Sequence, residues 1–250
     1  GMSGDVAPIF DFRWSESSMQ ALSGSMATIS TDQMMAEQWL KPGDHPRLQG
    51  VGPNARVDHI RLNPDWENHP PKEVWRQNVG KAWSSFAVVA NQAITQEQRG
   101  DTEAVISYDL HTGKLLWSHT DSIHFESAVT GNGPRATPTI FRNHVYTIGG
   151  TGRVTCLDVN TGTLIWSRDI LAEFNGSNRE WGVSNSPVAM DSVVYVPVGG
   201  GENNSLYALN RFTGDVVWKT GNATAGYSTP KIASFSFGKQ IVMFSFGAIE

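Results

Sequence analysis

Short apolar runs rich in Val, Ile and Tyr recur along residues 83–246, each bounded by Gly, Pro, Asn, Asp or Ser. Brief runs that alternate with period two between turn residues predict β-strands rather than helices. The stretch 137–168 is the most legible. It predicts strands over Thr137–Phe141, Val145–Ile148, Arg153–Asp158 and Thr163–Arg168, with turns at Arg142-Asn143, at Gly149–Gly152 and at Asp158–Gly162. A run over Val193–Val198 fits the second strand of another such unit.

The last hairpin of the unit occurs three times: YDLHTGKLLW (Tyr108–Trp117), LDVNTGTLIW (Leu157–Trp166) and LNRFTGDVVW (Leu209–Trp218). The indoles of Trp117, Trp166 and Trp218 fall 49 and 52 residues apart. In each copy an Asx side chain (Asp109, Asp158, Asn210) can accept from turn amides two or three residues on. The glycine that follows (Gly113, Gly162, Gly214) supplies the positive φ that the hairpin needs. The tryptophan fills the gap between successive sheets. A second motif keeps step: WSSFAVV, RATPTI, SNSPVAM and YSTPKIA align on Phe86, Pro138, Pro187 and Pro230.

Units of four short strands repeated at this period predict an all-β chain folded as a β-propeller of four-stranded antiparallel blades. Three units are complete, over about 83–119, 135–168 and 184–219. A fourth starts at Tyr227 and continues through Gln240–Phe246, so the expectation is part of a longer ring. Pro71–Val79 reads as a lone fourth strand, with Trp75 in the repeated Trp position. Residues 71–250 are therefore assigned to blades. Residues 1–70 form an N-terminal extension packed on, or leading into, the propeller. Within it Ser30–Asp44 reads as a short helix stopped at Pro42-Gly43. Five of the seven Met residues precede residue 36, which suits an adaptable packing segment or, alternatively, a partner-binding arm.

Charge and cysteine narrow the partners. The net charge is -5 with no basic run, which argues against nucleic acid. No stretch of about eighteen apolar residues occurs, so no transmembrane segment is expected. Residues 1–30 lack a basic start followed by an apolar core, so no signal peptide is legible. The single cysteine, Cys156, allows no intrachain disulfide.

The pattern Ser/Ala/Cys-x-Asp-x-x-Thr-Gly-x-x-x-Trp, met at Ser107–Trp117 and Cys156–Trp166 and with one change at Ala208–Trp218, resembles the pyrroloquinoline-quinone (PQQ) propeller repeat. QGVGPN (Gln49–Asn54), GNGPRATPTI (Gly131–Ile140), GRVTCLD (Gly152–Asp158) and EWGVSNSPV (Glu180–Val188) are similar to a branch common in planctomycetes and related bacteria. The resemblance covers about residues 45–250. It implies seven or eight blades and a periplasmic or secreted protein. It leaves activity open, because the family holds quinoprotein alcohol dehydrogenases and also a non-catalytic scaffold for outer-membrane barrel assembly. The favoured expectation is a non-catalytic binding or scaffold module for an unidentified protein or small molecule. The alternative is a PQQ-dependent alcohol or sugar dehydrogenase, for which PQQ and Ca²⁺ would be the cofactors. The adjacent-cysteine disulfide of well-known quinoproteins has no counterpart here, and Cys156 reads as a small buried apolar residue.

By analogy between units, Trp83, Arg135, Ser184 and Tyr227 each start the innermost strand and ring the channel mouth. Glu180 and Trp181, with Arg179 beside them, lie just upstream of Ser184. Aromatic and Arg side chains there can stack on or clamp a planar anion; equally, they can plug the channel and pin its loops. His119, Asp121, His124 and Glu126 are metal-competent side chains in one segment, but loop spacing constrains little, and no metal site is expected from them.

Overall fold

The computed structural model describes residues 39–250 apart from 53, 54, 58, 59, 201, 247 and 250. Three antiparallel four-stranded sheets follow one another along the chain, each in simple sequential order. The first comprises β1 (Ala87–Val89), β2 (Gln92–Arg99), β3 (Thr102–Asp109) and β4 (Leu115–Asp121). The second comprises β5 (Thr139–Phe141), β6 (His144–Ile148), β7 (Arg153–Asp158) and β8 (Leu164–Asp169). The third comprises β9 (Val188–Met190), β10 (Val193–Pro197), β11 (Leu206–Asn210) and β12 (Val216–Thr220). A fourth unit begins with the hairpin β13 (Lys231–Phe235) and β14 (Gly238–Val242), followed by a separate pair, β15 (Phe244–Ser245) and β16 (Ala248–Ile249). The expected strands of 137–168 all form, each bound within two residues of its predicted position. A single turn of helix, α1 (Ile170–Glu173), was not foreseen; Asp169 caps it by accepting from the Ala172 N–H at 3.1 Å.

The innermost strands β1, β5 and β9 touch in succession, so the sheets fan about a common axis. The core lies between sheets rather than within one. Ile94, Val105 and Trp117 of the first sheet pack with Ile140, Val145 and Leu157 of the second. Tyr146, Val154 and Trp166 of the second pack with Val194, Tyr207 and Leu209 of the third. Tyr195 and Ala208 of the third pack with Met243 and Ile232 of the fourth unit. The middle strands β2 and β3 are consequently buried at six consecutive positions each, as expected where both faces of a sheet are covered.

The repeated hairpin explains how one sheet registers on the next. Trp117 Nε1 donates to Val159 O at 2.9 Å, and Trp166 Nε1 donates to Arg211 O at 3.0 Å. Each indole lies flat on the Thr-Gly glycine of the following sheet. A Cβ on Gly162 would sit 2.5 Å from Trp117, and one on Gly214 would sit 2.9 Å from Trp166. These glycines thus meet two demands, a positive φ (69° and 77°) and an aromatic ring against the backbone. Asp158 Oδ1 braces the same turn, accepting from the amides of Asn160 and Thr161, both at 2.9 Å. Asp158→Ala is expected to cost about 1 kcal/mol, read as a shift in the urea midpoint, whereas Asp158→Asn should be close to neutral, because Asn210 already makes the equivalent bonds.

Pro71–Val79 departs from its predicted form. It belongs to no sheet among the described residues, because no neighbouring strand offers it a ladder. Trp75 nevertheless occupies the repeated position: its Nε1 donates to Leu110 O at 2.8 Å, and it covers Gly113. The expected helix over 30–44 lies mostly outside the described residues, and its described end, 39–44, is turn and coil.

Each outermost strand carries a β-bulge just before its tryptophan. Trp117 pairs with Ser107 and Leu115 with Tyr108, which leaves Leu116 unpaired; Ile165 and Val217 repeat this. Two adjacent apolar residues therefore face solvent on each rim strand, on an edge kinked by the extra residue. Such kinks protect edges from pairing with other chains.

Residues 44–46 run along the innermost strands β1 and β5. His45 and Val88 exchange backbone hydrogen bonds at 2.7 and 2.8 Å, and Pro46 O accepts from the Ile140 N–H at 2.7 Å. Asp44 pins the segment by accepting from the Ala90 N–H at 2.8 Å and the Lys41 N–H at 2.7 Å. Trp39 meets Phe141 edge-on at 6.1 Å. This arm covers one end of the channel beneath the first two blades.

Candidate functional site at the channel mouth

The opposite end is built from the segments that lead into the innermost strands, together with the hairpins after β2, β6 and β10. The predicted ring residues all sit here, but they assemble as two groups rather than around one point.

Trp83 and Arg135 belong to the first group. The Trp83 backbone N–H donates to Pro134 O at 2.9 Å and its indole to Thr130 O at 2.7 Å, yet the side chain is 69% exposed. Arg135 donates to Gly133 O, to Thr130 Oγ1 at 2.8 Å and to Gly131 O at 2.6 Å. Its guanidinium also lies 4.3 Å over the Phe125 ring. The Arg135 fork thus folds its own loop into a knot. Phe125 is buried against Gly150 and Gly182, where any Cβ would collide with it at 2.6 and 2.9 Å.

Beneath this group lies Glu103, 6% exposed, which accepts from the Gly150 N–H at 3.2 and 3.3 Å. Burial pushes its carboxyl up to about 7, and the Gly150 N–H offsets only part of that. Neighbouring Asp121 moves the other way: the His119 imidazole beside it holds it below the usual carboxylate range. Glu103 had not been singled out from sequence. Nothing marks it there, because its burial is created by Gly149 and Gly150 of the next blade.

The second group joins Trp181, Ser184 and Tyr227. Trp181 stacks on Tyr227 with ring centroids 5.2 Å apart and an interplanar angle of 22°. Ser184 Oγ donates to Tyr227 O at 3.2 Å. The Arg179 guanidinium lies 5.7 Å from the Tyr227 ring and 5.0 Å from that of Phe246. Trp181 is 45% exposed, and Glu180 points outward beside it.

A ladder of hydroxyls links the blades along the channel wall, and it was not anticipated. The Ser85 N–H donates to Thr137 Oγ1 at 3.3 Å, the Thr137 N–H to Ser186 Oγ at 2.9 Å, and the Ser186 N–H to Thr229 Oγ1 at 2.9 Å. Its sequence signal was available: a Ser or Thr stands immediately before Phe86, Pro138, Pro187 and Pro230 in all four copies.

The segment His119–Glu126 does not come together. His119 faces Asp121 at 3.6 Å, while His124 and Glu126 are exposed. No group of three or more His, Cys, Asp or Glu is arranged to hold a metal among the described residues. Cys156 is fully buried and its thiol is pushed up to about 12 by that burial, which suits its expected packing role. No helix among the described residues is long and apolar enough to cross a membrane.

A family model described as "Outer membrane protein assembly factor BamB" matches residues 66–195 and, in a second overlapping match, residues 101–249. The chain belongs to this PQQ-repeat propeller family. No curated protein sequence matches it. Among solved structures it is similar to the quinohemoprotein alcohol dehydrogenase ADHIIG from Pseudomonas putida HK5 (17% identity, TM-score 0.57), covering 81% of this chain and 30% of that one. The quinohemoprotein alcohol dehydrogenase from Comamonas testosteroni (19% identity, TM-score 0.55) covers 79% of this chain and 30% of that one. A europium-containing methanol dehydrogenase (16% identity, TM-score 0.54) covers 78% and 34%. The chain therefore spans about a third of the length of these relatives. At such identities the likeness establishes the propeller fold.

In this PQQ-repeat chain the mouth side chains are engaged with one another and with their own loops. The Arg135 fork is occupied by its own loop, and Trp181 and Tyr227 stack on each other. Two hollows at the mouth measure about 10 Å³ beside Glu103 and about 20 Å³ beside Arg179 and Asn185. Drug-sized or cofactor-sized ligands take several hundred Å³.

Proposed function

We propose that this chain is a non-catalytic binding or scaffold module that works outside the cytoplasm, and that its channel-mouth face meets a protein partner. One observation carries this reading: Trp83 is 69% exposed although both its backbone and its indole nitrogen are tied to the next loop. An exposed aromatic that is already immobilised loses little entropy on binding, which is the character of interface anchors. Trp181, held on Tyr227, supplies a second such ring on the same face. The description of the matching family model, an outer-membrane assembly factor, accords with both the scaffold role and the location.

Two measurements on the full-length protein test it. Incubation with PQQ and Ca²⁺ followed by gel filtration should separate quinone from protein, with no dye-linked oxidation of alcohols or sugars. Quinone absorbance co-eluting with the protein, together with dye reduction, would establish a dehydrogenase instead. A photo-crosslinking residue at position 83 or 181 should give a discrete protein adduct in the cell envelope, and one at rim residue Leu115 should not. Equal labelling from both positions would remove the mouth as the docking face.

A further inference from the structure

At the arm end of the channel lies a cavity of about 90 Å³, between residues 47–52 and the innermost strands of the second, third and fourth units. It is separate from the mouth site and independent of the function proposed there. Its floor is apolar, formed by Phe141, Val188, Met190 and Ile232. Three cations reach it, Arg47, Lys231 and Lys239, and none of its described lining residues is acidic. Arg47 is braced in place by a bond from its guanidinium to Val51 O at 2.5 Å.

The hydroxyl ladder adds donors to the same space. Ser186, 1% exposed, and Thr229 both line the cavity. Each oxygen accepts one backbone N–H, and neither hydroxyl hydrogen has an acceptor among the described residues. A buried hydroxyl donor without an acceptor carries a desolvation cost unless something fills the space. The cavity thus combines cations and unmatched donors with an apolar wall.

Its position adds a further constraint. The arm pairs by backbone with Val88 of the first blade and Ile140 of the second. The residues at the same offset in the next two units, Ala189 and Ile232, line the cavity instead. The track along which an extended chain already adds in cis therefore continues into open space. At about 10–15 Å³ per water the cavity of about 90 Å³ has room for a group of about six to nine heavy atoms, far short of a tricyclic quinone.

We propose that this cavity binds a carboxylate attached to a short apolar group, the chemistry shared by a small branched-chain acid and by a peptide C-terminus ending in an aliphatic residue. The carboxylate meets Lys239, Lys231, Arg47 and the two hydroxyls, and the apolar group lies on Val188, Met190 and Ile232.

The test uses isothermal titration of the full-length protein with 3-methylbutanoate, with a pentapeptide ending in Val as the free acid, and with the same peptide as its C-terminal amide. Binding of the free acid but not the amide supports the site and identifies a peptide end as its ligand. Binding of 3-methylbutanoate alone supports the site and identifies a small acid. Lys239→Glu, at an exposed strand position that leaves the fold intact, should weaken whichever binds by about ten-fold or more, while Lys114→Glu on a distant hairpin should not. Ser186→Ala should weaken it as well, with thermal melting recorded to separate loss of binding from loss of fold. Equal affinity for acid and amide, indifference to Lys239→Glu, or no binding by any probe at millimolar concentration overturns the proposal.

Discussion

Trp166→Ala is expected to destabilise the 250-residue chain by about 3–5 kcal/mol, the range for deleting a buried aromatic. Three losses combine. The indole is buried between the second and third sheets, it donates to Arg211 O at 3.0 Å, and its ring lies on Gly214 and tilts against Tyr146 at 6.1 Å. Trp218→Ala provides the contrast. That ring is 38% exposed and rests chiefly on Tyr195 of its own sheet at 5.7 Å, so about 1 kcal/mol is expected. Urea denaturation measures both. Gly214→Ala probes the same contact from the other side, since a Cβ there sits 2.9 Å from the indole at a φ of 77°. Combined with Trp166→Ala it should cost less than it does alone, because the ring it would strike is gone. Only the left-handed backbone penalty of about 1–2 kcal/mol should remain. Strict additivity of the two substitutions would show that the ring and the glycine do not form one contact.

Glu103 sets the second large effect, one that depends on pH. Its folded carboxyl titrates at about 7, against an ordinary value of 4.5. Below 4.5 both folded and unfolded chains hold the proton, and above about 7 neither does. Between these limits the folded state alone is protonated, so stability falls as pH rises, by at most about 3 kcal/mol. Asp121 is held low by His119, and its contribution is complete before this window opens. His45 and His144 are held below 6.5 by burial and by neighbouring arginines, so their contribution has the opposite sign and favours the fold as pH rises. Comparison with Glu103→Gln isolates the carboxyl, since the amide oxygen can still accept from the Gly150 N–H. The variant should match the parent at pH 4.5 and exceed it in urea midpoint at pH 8. A constant gap across that range would mean that Glu103 titrates as an ordinary surface carboxylate.

The site was less legible than the fold, for a physical reason visible in particular residues. Trp83, Arg135, Ser184 and Tyr227 were assigned to the mouth by counting three residues back from the aligned Phe86 and Pro positions, and Trp181 by lying just upstream of Ser184. Counting could not show that Arg135 would turn back onto Thr130 and Gly131, or that Trp181 would stack on Tyr227. Those outcomes depend on the paths of irregular loops, which follow no period. Glu103 and the hydroxyls of Ser186 and Thr229 owe their importance to residues 43–47 positions away.

The strands, the hairpins and the fan of sheets follow from local causes repeated three times. Period-two apolar runs, Asx-braced Thr-Gly turns and one indole per unit act within a few residues of one another or on the next copy, so the residue pattern alone determines them. Tertiary structure decided the rest. It shaped the arm laid across Val88 and Ile140, the bulges that turn Leu116, Ile165 and Val217 outward, the buried Glu103 and the donor-lined cavity. The arm and the cavity arise where segments without a repeat meet blades that have one, Glu103 is buried by one blade against the next, and the bulges form by pairing within each blade, so the free energy of each resides in no single segment.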